Sequence, residues 1–214
     1  MLAEQHDEYY YVTLMNENYR HPDMPEGSAD GIVKGMYLLQ DAGKAKKTDL
    51  RVQLMGSGTI LREAIAAAEL LDKDFGVSSD IWSCPSFNEL ARDGIDAERF
   101  NRLHPEDKSP RKPYVTQLLE GQQGPAIVAT DYVRTYAEQI RAYVPMRYTV
   151  LGTDGFGRSD TRANLRRHFE VDRFHIAHAA IAALAAEGKM TAKDVARAIK
   201  QYKIDVEKPN PIGV

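Results

Sequence analysis

Glycines at 152, 155 and 157, interleaved with Asp154, Phe156, Arg158, Ser159 and Asp160, make GTDGFGRSD the stretch of this chain best equipped to touch another molecule. The glycines permit positive φ and close backbone approach. The acids and the arginine supply charge, and Phe156 offers an apolar ring that so glycine-rich a loop cannot cover. One loop cannot assemble a catalytic constellation, so these residues point to packing and orientation at a boundary with a neighbour rather than to bond chemistry. Gly56-Ser57-Gly58 has the shape of a phosphate cradle, because amides at a helix N-terminus attract anions. The GxGxxG spacing fails at Leu61, however, and no P-loop lysine follows, so a plain strand-to-helix turn is the better reading and nucleotide binding the alternative. His175 and His178 stand three residues apart on an expected helix, where two imidazoles could share a metal. No cysteine or carboxylate motif supplies the other ligands, which favours a surface or core pair. His21 and His104 each adjoin a proline in a loop, where a general acid or base could stand; they are weak catalytic candidates, and a structural or interface role is the simpler account. Cys84 ends an apolar strand with no cationic neighbour in sequence and reads as a small buried hydrophobe, not a nucleophile.

The elements that must position these residues alternate between strand and helix signals. Strands are expected at 35–39, 50–55, 79–84, 126–130 and 148–151. A helix from Thr59 to Lys73 carries a stripe of Leu61, Ile65, Ala68 and Leu71, with Gly76 just past its end. Ser86 and Glu89 form a capping box for a helix ended by Gly94, and short helices follow at 97–103 and 114–119. Thr130 or Asp131 can cap a helix reaching Tyr143, and Ser159 or Asp160 the helix after the glycine loop. Helices at 173–186 and after Thr191 with Asp194 complete the set. The alternation predicts an α/β fold, a three-layer α/β/α domain on a mostly parallel five-stranded sheet. Residues 43–48 read as a lysine-rich surface turn. Tyr9 to Leu14 gives an isolated strand signal before a linker with Pro22 and Pro25, which cannot bury itself alone. Residues 1–27 are therefore expected to be the end of a preceding domain plus linker, and 28–214 the domain proper. The segment Lys208 to Val214, with two prolines, is expected at the surface or disordered unless a partner holds it.

Composition bounds the function classes. The 214 residues are 43% hydrophobic, ample for a core, and 28 basic against 31 acidic residues leave a formal charge of −3 with both signs interspersed. That balance offers no field to attract nucleic acid or an anionic membrane. A single cysteine precludes an internal disulfide, no apolar run approaches the roughly 20 residues of a membrane span, and the first residues lack a signal-peptide layout. A cytoplasmic location is the expectation.

The string GTDGFGRSD, with MNENYRHPDMPEG (Met15 to Gly27), QLMGSGTILREA (Gln53 to Ala64), SFNELARDG (Ser86 to Gly94) and RLHPEDKSPRKPY (Arg102 to Tyr114), resembles the carboxyl-terminal part of homodimeric bacterial pyruvate dehydrogenases. These belong to the wider transketolase family, and the resemblance covers nearly the whole chain. It implies one antiparallel edge strand on the sheet. It also implies a parent enzyme that uses thiamine diphosphate and magnesium to decarboxylate pyruvate and reductively acetylate lipoyl groups on dihydrolipoyl acetyltransferase. In that family the cofactor anchors and the catalytic glutamate lie in earlier domains, and residues 1–27 correspond to the end of the pyrimidine-binding domain. The resemblance thus implies a fragment, inactive alone and binding no cofactor alone. Its partners would be the rest of its own polypeptide, a second subunit and the acetyltransferase. An independent nucleotide-binding domain resting on Gly56-Ser57-Gly58, or a free-standing interaction module using Gly152 to Asp160, is the alternative.

Overall fold

The run Ala126-Ile127-Val128-Ala129 is apolar throughout, as suits a strand covered on both faces with no solvent side to keep polar, whereas the strands at 51–56 and 78–83 bury Gln53, Ser78, Ser79 and Asp80 among their apolar residues. In the computed structural model, which describes every residue except 1–2, 5–6, 8, 13–17, 21 and 44–49, five strands form one sheet. They are β1 (Tyr37–Gln40), β2 (Arg51–Gly56), β3 (Ser78–Ser83), β4 (Ala126–Ala129) and β5 (Tyr148–Leu151), in the order β1-β3-β2-β4-β5. All neighbours are parallel except β1, an antiparallel edge on β3 whose register shifts between Leu38 and Gln40.

The helices are α1 (Ala29–Lys34), α2 (Leu61–Phe75), α3 (Phe87–Leu103), α4 (Tyr114–Leu119), α5 (Arg134–Glu138), α6 (Arg162–His168), α7 (Arg173–Ala186) and α8 (Ala192–Gln201). Alternate residues of each strand feed opposite cores. Val52, Leu54, Ile127 and Ala129 pack with α2, α7 and α8, whereas Met55, Trp82, Val128 and Val150 pack with α3, α4 and Ala137 of α5. Helices thus cover both faces, giving the expected three layers. One polar group is sunk into the sheet. Asp80 accepts from Arg51 Nε at 2.7 Å and from Gln53 Nε2 at 2.8 Å, while Gln53 Oε1 accepts from the Trp82 indole at 2.8 Å. Every member has a partner, which is the condition for burying such groups.

Several local expectations are corrected. Helix α3 runs through Gly94 into the stretch expected as a separate helix, because Gly94 is where the Tyr143 ring packs against the helix and a β-carbon would collide with it. Ser86 does accept from Glu89 N, at 3.2 Å, but the Glu89 carboxylate turns to Arg92 instead of completing the box. The helix expected from Thr130 to Tyr143 is reduced to α5 and a 3-10 turn at Arg141–Tyr143, since the Thr130 hydroxyl is held by Ser57 and by Tyr132 N. The buried face of α2 is Glu63, Ala64, Ala67, Leu71 and Phe75, so Leu61, Ile65 and Ala68 sit at its margin. Small alanines at 64 and 67 let α2 approach the alanine-rich α7 closely. Tyr9 to Val12 are exposed and form no strand, while the rest of that signal, and the lysine-rich turn beyond Gly43, fall outside the described residues. The segment 208–214, expected at the surface or disordered unless a partner holds it, lies at the surface with Asn210, Ile212, Gly213 and Val214 exposed, while Pro211 is buried and a 3-10 turn spans Pro211–Gly213. No helix among the described residues is long and apolar enough to cross a membrane.

Candidate docking edge at the carboxyl ends of the strands

Strand β2 sits at the centre, with its successor β3 on one side and β4 on the other, so the carboxyl ends of β2 and β4 flank the point where the winding reverses. In open α/β sheets this crevice is where ligands are commonly met. Three loops converge on it and are stitched together. Ser57 Oγ donates to Thr130 Oγ1 at 2.8 Å, Thr153 N donates to Tyr132 O at 2.9 Å, and Thr153 Oγ1 donates to Asp131 O at 2.7 Å. Arg134 N donates to Asp154 Oδ1 at 2.8 Å, and its guanidinium pairs with the other carboxylate oxygen. Partial burial pushes the Asp154 pKa up, but the hydrogen bonds from Arg134 outweigh that and hold the carboxylate below its usual range. Gly152 is required because a β-carbon there would lie 2.8 Å from both Arg134 N and Tyr132 O.

The base of the loop is therefore rigid, and its tip is presented outward. Phe156 is 78% exposed, and Gly157, Arg158, Ser159 and Asp160 are exposed beside it. Neither Ser159 nor Asp160 caps the following helix. Thr161 does, accepting from Asn164 N at 3.3 Å, while Asp160 accepts from Thr161 N and Asn164 Nδ2 and braces the turn from outside. A cleft of about 340 Å³ opens between the loop and α6, walled by Ile60, Asp131, Phe156, Arg158, Leu165 and Phe169 among others.

Beneath the cleft lies a group that sequence reasoning missed. Glu63, 4% exposed, accepts from Arg166 Nη1 at 3.0 Å and from Arg173 N, Nε and Nη2 at 3.0, 3.0 and 3.1 Å. Burial alone would raise its pKa, yet hydrogen bonds and charge from Arg173, with Arg166, hold it below the ordinary range. Arg166 also donates to Tyr19 Oη at 3.4 Å, so α2, α6, α7 and the incoming segment meet at one carboxylate. The available signal was a lone acid at helical spacing with Ala64, Ala67 and Leu71.

The other candidates take local roles. Gly56 packs against Leu61, whose Cα would be 2.7 Å from a β-carbon, and Gly58 adopts φ +53° with the Asp131 carboxylate beside it. A carboxylate facing the turn repels a phosphate, so this turn serves packing. His104 Nδ1 lies 2.9 Å from Phe100 O and its ring stacks on Phe100 at 4.1 Å. His175 Nδ1 lies 2.7 Å from Asp172 Oδ1, the residue that caps α7. His178 is half-buried, and its Nε2 has no hydrogen-bond partner. Among the described residues no three His, Cys, Asp or Glu side chains are grouped to hold a metal. Cys84 is buried, and burial pushes its thiol well up. His21 lies outside the described residues.

A family model for the transketolase-like TK C-terminal domain matches residues 35–172, from just before β1 to the cap of α7. The chain belongs to that family. It is 59% identical over 214 residues to the pyruvate dehydrogenase E1 component of Cupriavidus necator, covering 100% of this chain and 24% of that protein. The E1 component of Escherichia coli is 52% identical over 209 residues, 97% of this chain and 23% of the relative. Among solved structures, a transketolase from Leishmania mexicana aligns at 18% identity with a TM-score of 0.48, over 78% of this chain and 21% of that one. This domain thus spans about a quarter of the length of the curated relatives it matches.

Proposed function

We propose that this chain is the carboxyl-terminal domain of a pyruvate dehydrogenase first component and that its task there is docking. The supporting observation is the 59% identity maintained over the whole chain with a protein of that name. On this reading the parent enzyme decarboxylates pyruvate with thiamine diphosphate and magnesium, and reductively acetylates lipoyl groups of dihydrolipoyl acetyltransferase. It is a cytoplasmic homodimer, in which residues 28–214 form this domain and 1–27 the end of the preceding one.

The residues described here do not fit the cofactor. No metal-binding group is assembled among them, and the cradle-shaped turn is faced by Asp131. What the domain supplies is the rigid Arg134–Asp154 base and the outward Phe156 tip, an aromatic anchor awaiting a pocket on a neighbouring domain or subunit. Catalytic groups drawn from several domains depend on such contacts for their alignment.

The test is Phe156→Ala in the full-length protein, with dimer dissociation read by sedimentation beside steady-state turnover, and the wild-type 214-residue chain, expected to be inactive, assayed alongside. Association should weaken by about 2 kcal/mol or more, as for a central interface anchor, with turnover falling in consequence. Turnover that collapses while dimerisation and thermal stability stay at wild-type values would refute docking and place the loop in the chemistry.

A further inference from the structure

We infer that residues 208–213 are an intramolecular strap that holds the Gly152–Asp160 loop in its presenting conformation, latched by Lys208 and keyed to Gly155. The inference rests on the docking reading only for its consequence; the strap itself is a matter of geometry. Lys208 Nζ donates to His168 O at 2.6 Å and to Arg167 O at 3.3 Å, carbonyls of the last turn of α6. It also pairs with Glu170 Oε1 at 2.9 Å, on a residue held at φ +62°. From that latch the chain turns through Asn210, whose Oδ1 accepts from Ile212 N at 3.1 Å, and buries Pro211. The Pro211 carbonyl abuts Gly155, which sits at φ +101° and could not carry a β-carbon without colliding with that oxygen.

The strap thus joins the far end of α6 to the loop that precedes α6, one residue from Phe156. A cavity of about 90 Å³ remains beneath it, bordered by Arg134, Asp154, Phe169, Glu170 and Pro211 among others. The tip gains from such a fastening, because glycines at 155 and 157 make its backbone costly to order and Phe156 is 78% exposed.

The experiment is limited proteolysis of the full-length protein, following cleavage after Phe156 with chymotrypsin and after Arg158 with trypsin by mass spectrometry. Wild type is compared with Lys208→Met, Lys208→Arg and Gly155→Ala, with thermal unfolding and dimer dissociation measured in parallel. Cleavage at both bonds should accelerate by about tenfold or more in Lys208→Met and Gly155→Ala, with the unfolding midpoint retained and Lys208→Arg close to wild type. Rates within about twofold of wild type in both disrupting variants overturn the strap. So does acceleration spread equally over bonds in β2 and β4, which reports general loss of stability. Faster loop cleavage with unchanged dimer dissociation and turnover leaves the strap standing and counts against docking instead.

Discussion

Replacing Glu63 by alanine removes the carboxylate on which α2, α6 and α7 converge, and the structure sets the size of the effect. Breaking a buried ion pair from one side costs about 3–5 kcal/mol, since the surviving charge is left without a partner. Here the side chain of Arg166 is 17% exposed and that of Arg173 44% exposed, so part of their charge can rehydrate. Screening therefore lowers the expected loss to about 2–3 kcal/mol. That corresponds to a fall of roughly 5–10 °C in the unfolding midpoint of a domain this size. The assay is urea unfolding of the 214-residue chain followed by the fluorescence of Trp82, its only tryptophan, buried at the sheet. The pH dependence is a second readout. Because the folded-state pKa of Glu63 is depressed, its contribution is full above the ordinary glutamate value near 4.5 and is lost as pH falls through the folded pKa. The deficit of Glu63→Ala should accordingly shrink in acid. A loss below about 0.5 kcal/mol at pH 7, the scale of a surface pair, would refute the claim that this carboxylate organises the three helices.

Gly94→Val should cost about 1–3 kcal/mol by forcing the Tyr143 ring off α3, and most of that cost should vanish in a Tyr143→Ala background; urea midpoints showing the same cost in both backgrounds would refute the contact. His178 is held below its ordinary pKa by burial, then by charge on His175, with Glu170 opposing. Its unfolded form takes up the proton first, so stability should decline as pH falls below about 6.5 and be level above it. Replacing His178 by leucine should flatten the dependence of the urea midpoint between about pH 6.5 and 5, and an unchanged slope would assign it to other groups.

The elements legible in the sequence are those whose signals lie within a few residues. Thr191 and Asp194 cap α8 reciprocally, Gly76 closes α2 in the left-handed region, and α7 spans the expected Arg173 to Ala186, because each depends on adjacent backbone and side-chain chemistry alone. The same holds for the strand runs and for the outward glycine loop, where three glycines and an uncovered aromatic ring fall within six residues. What tertiary structure decided are contacts that sequence distance hides. Arg166 and Arg173 reach Glu63 from 103 and 110 residues away, and that partnership turns an apparent surface acid into the buried centre of α2. Gly94 carries the mark of a helix stop, yet Tyr143 packs on it and α3 continues. Lys208 finds carbonyls 40 and 41 residues back, and a segment with the composition of a loose tail becomes a strap. Local chemistry selects helix, strand or turn within a window of a few residues. Which groups lose their water, and beside which partner, is settled only when the layers close on one another.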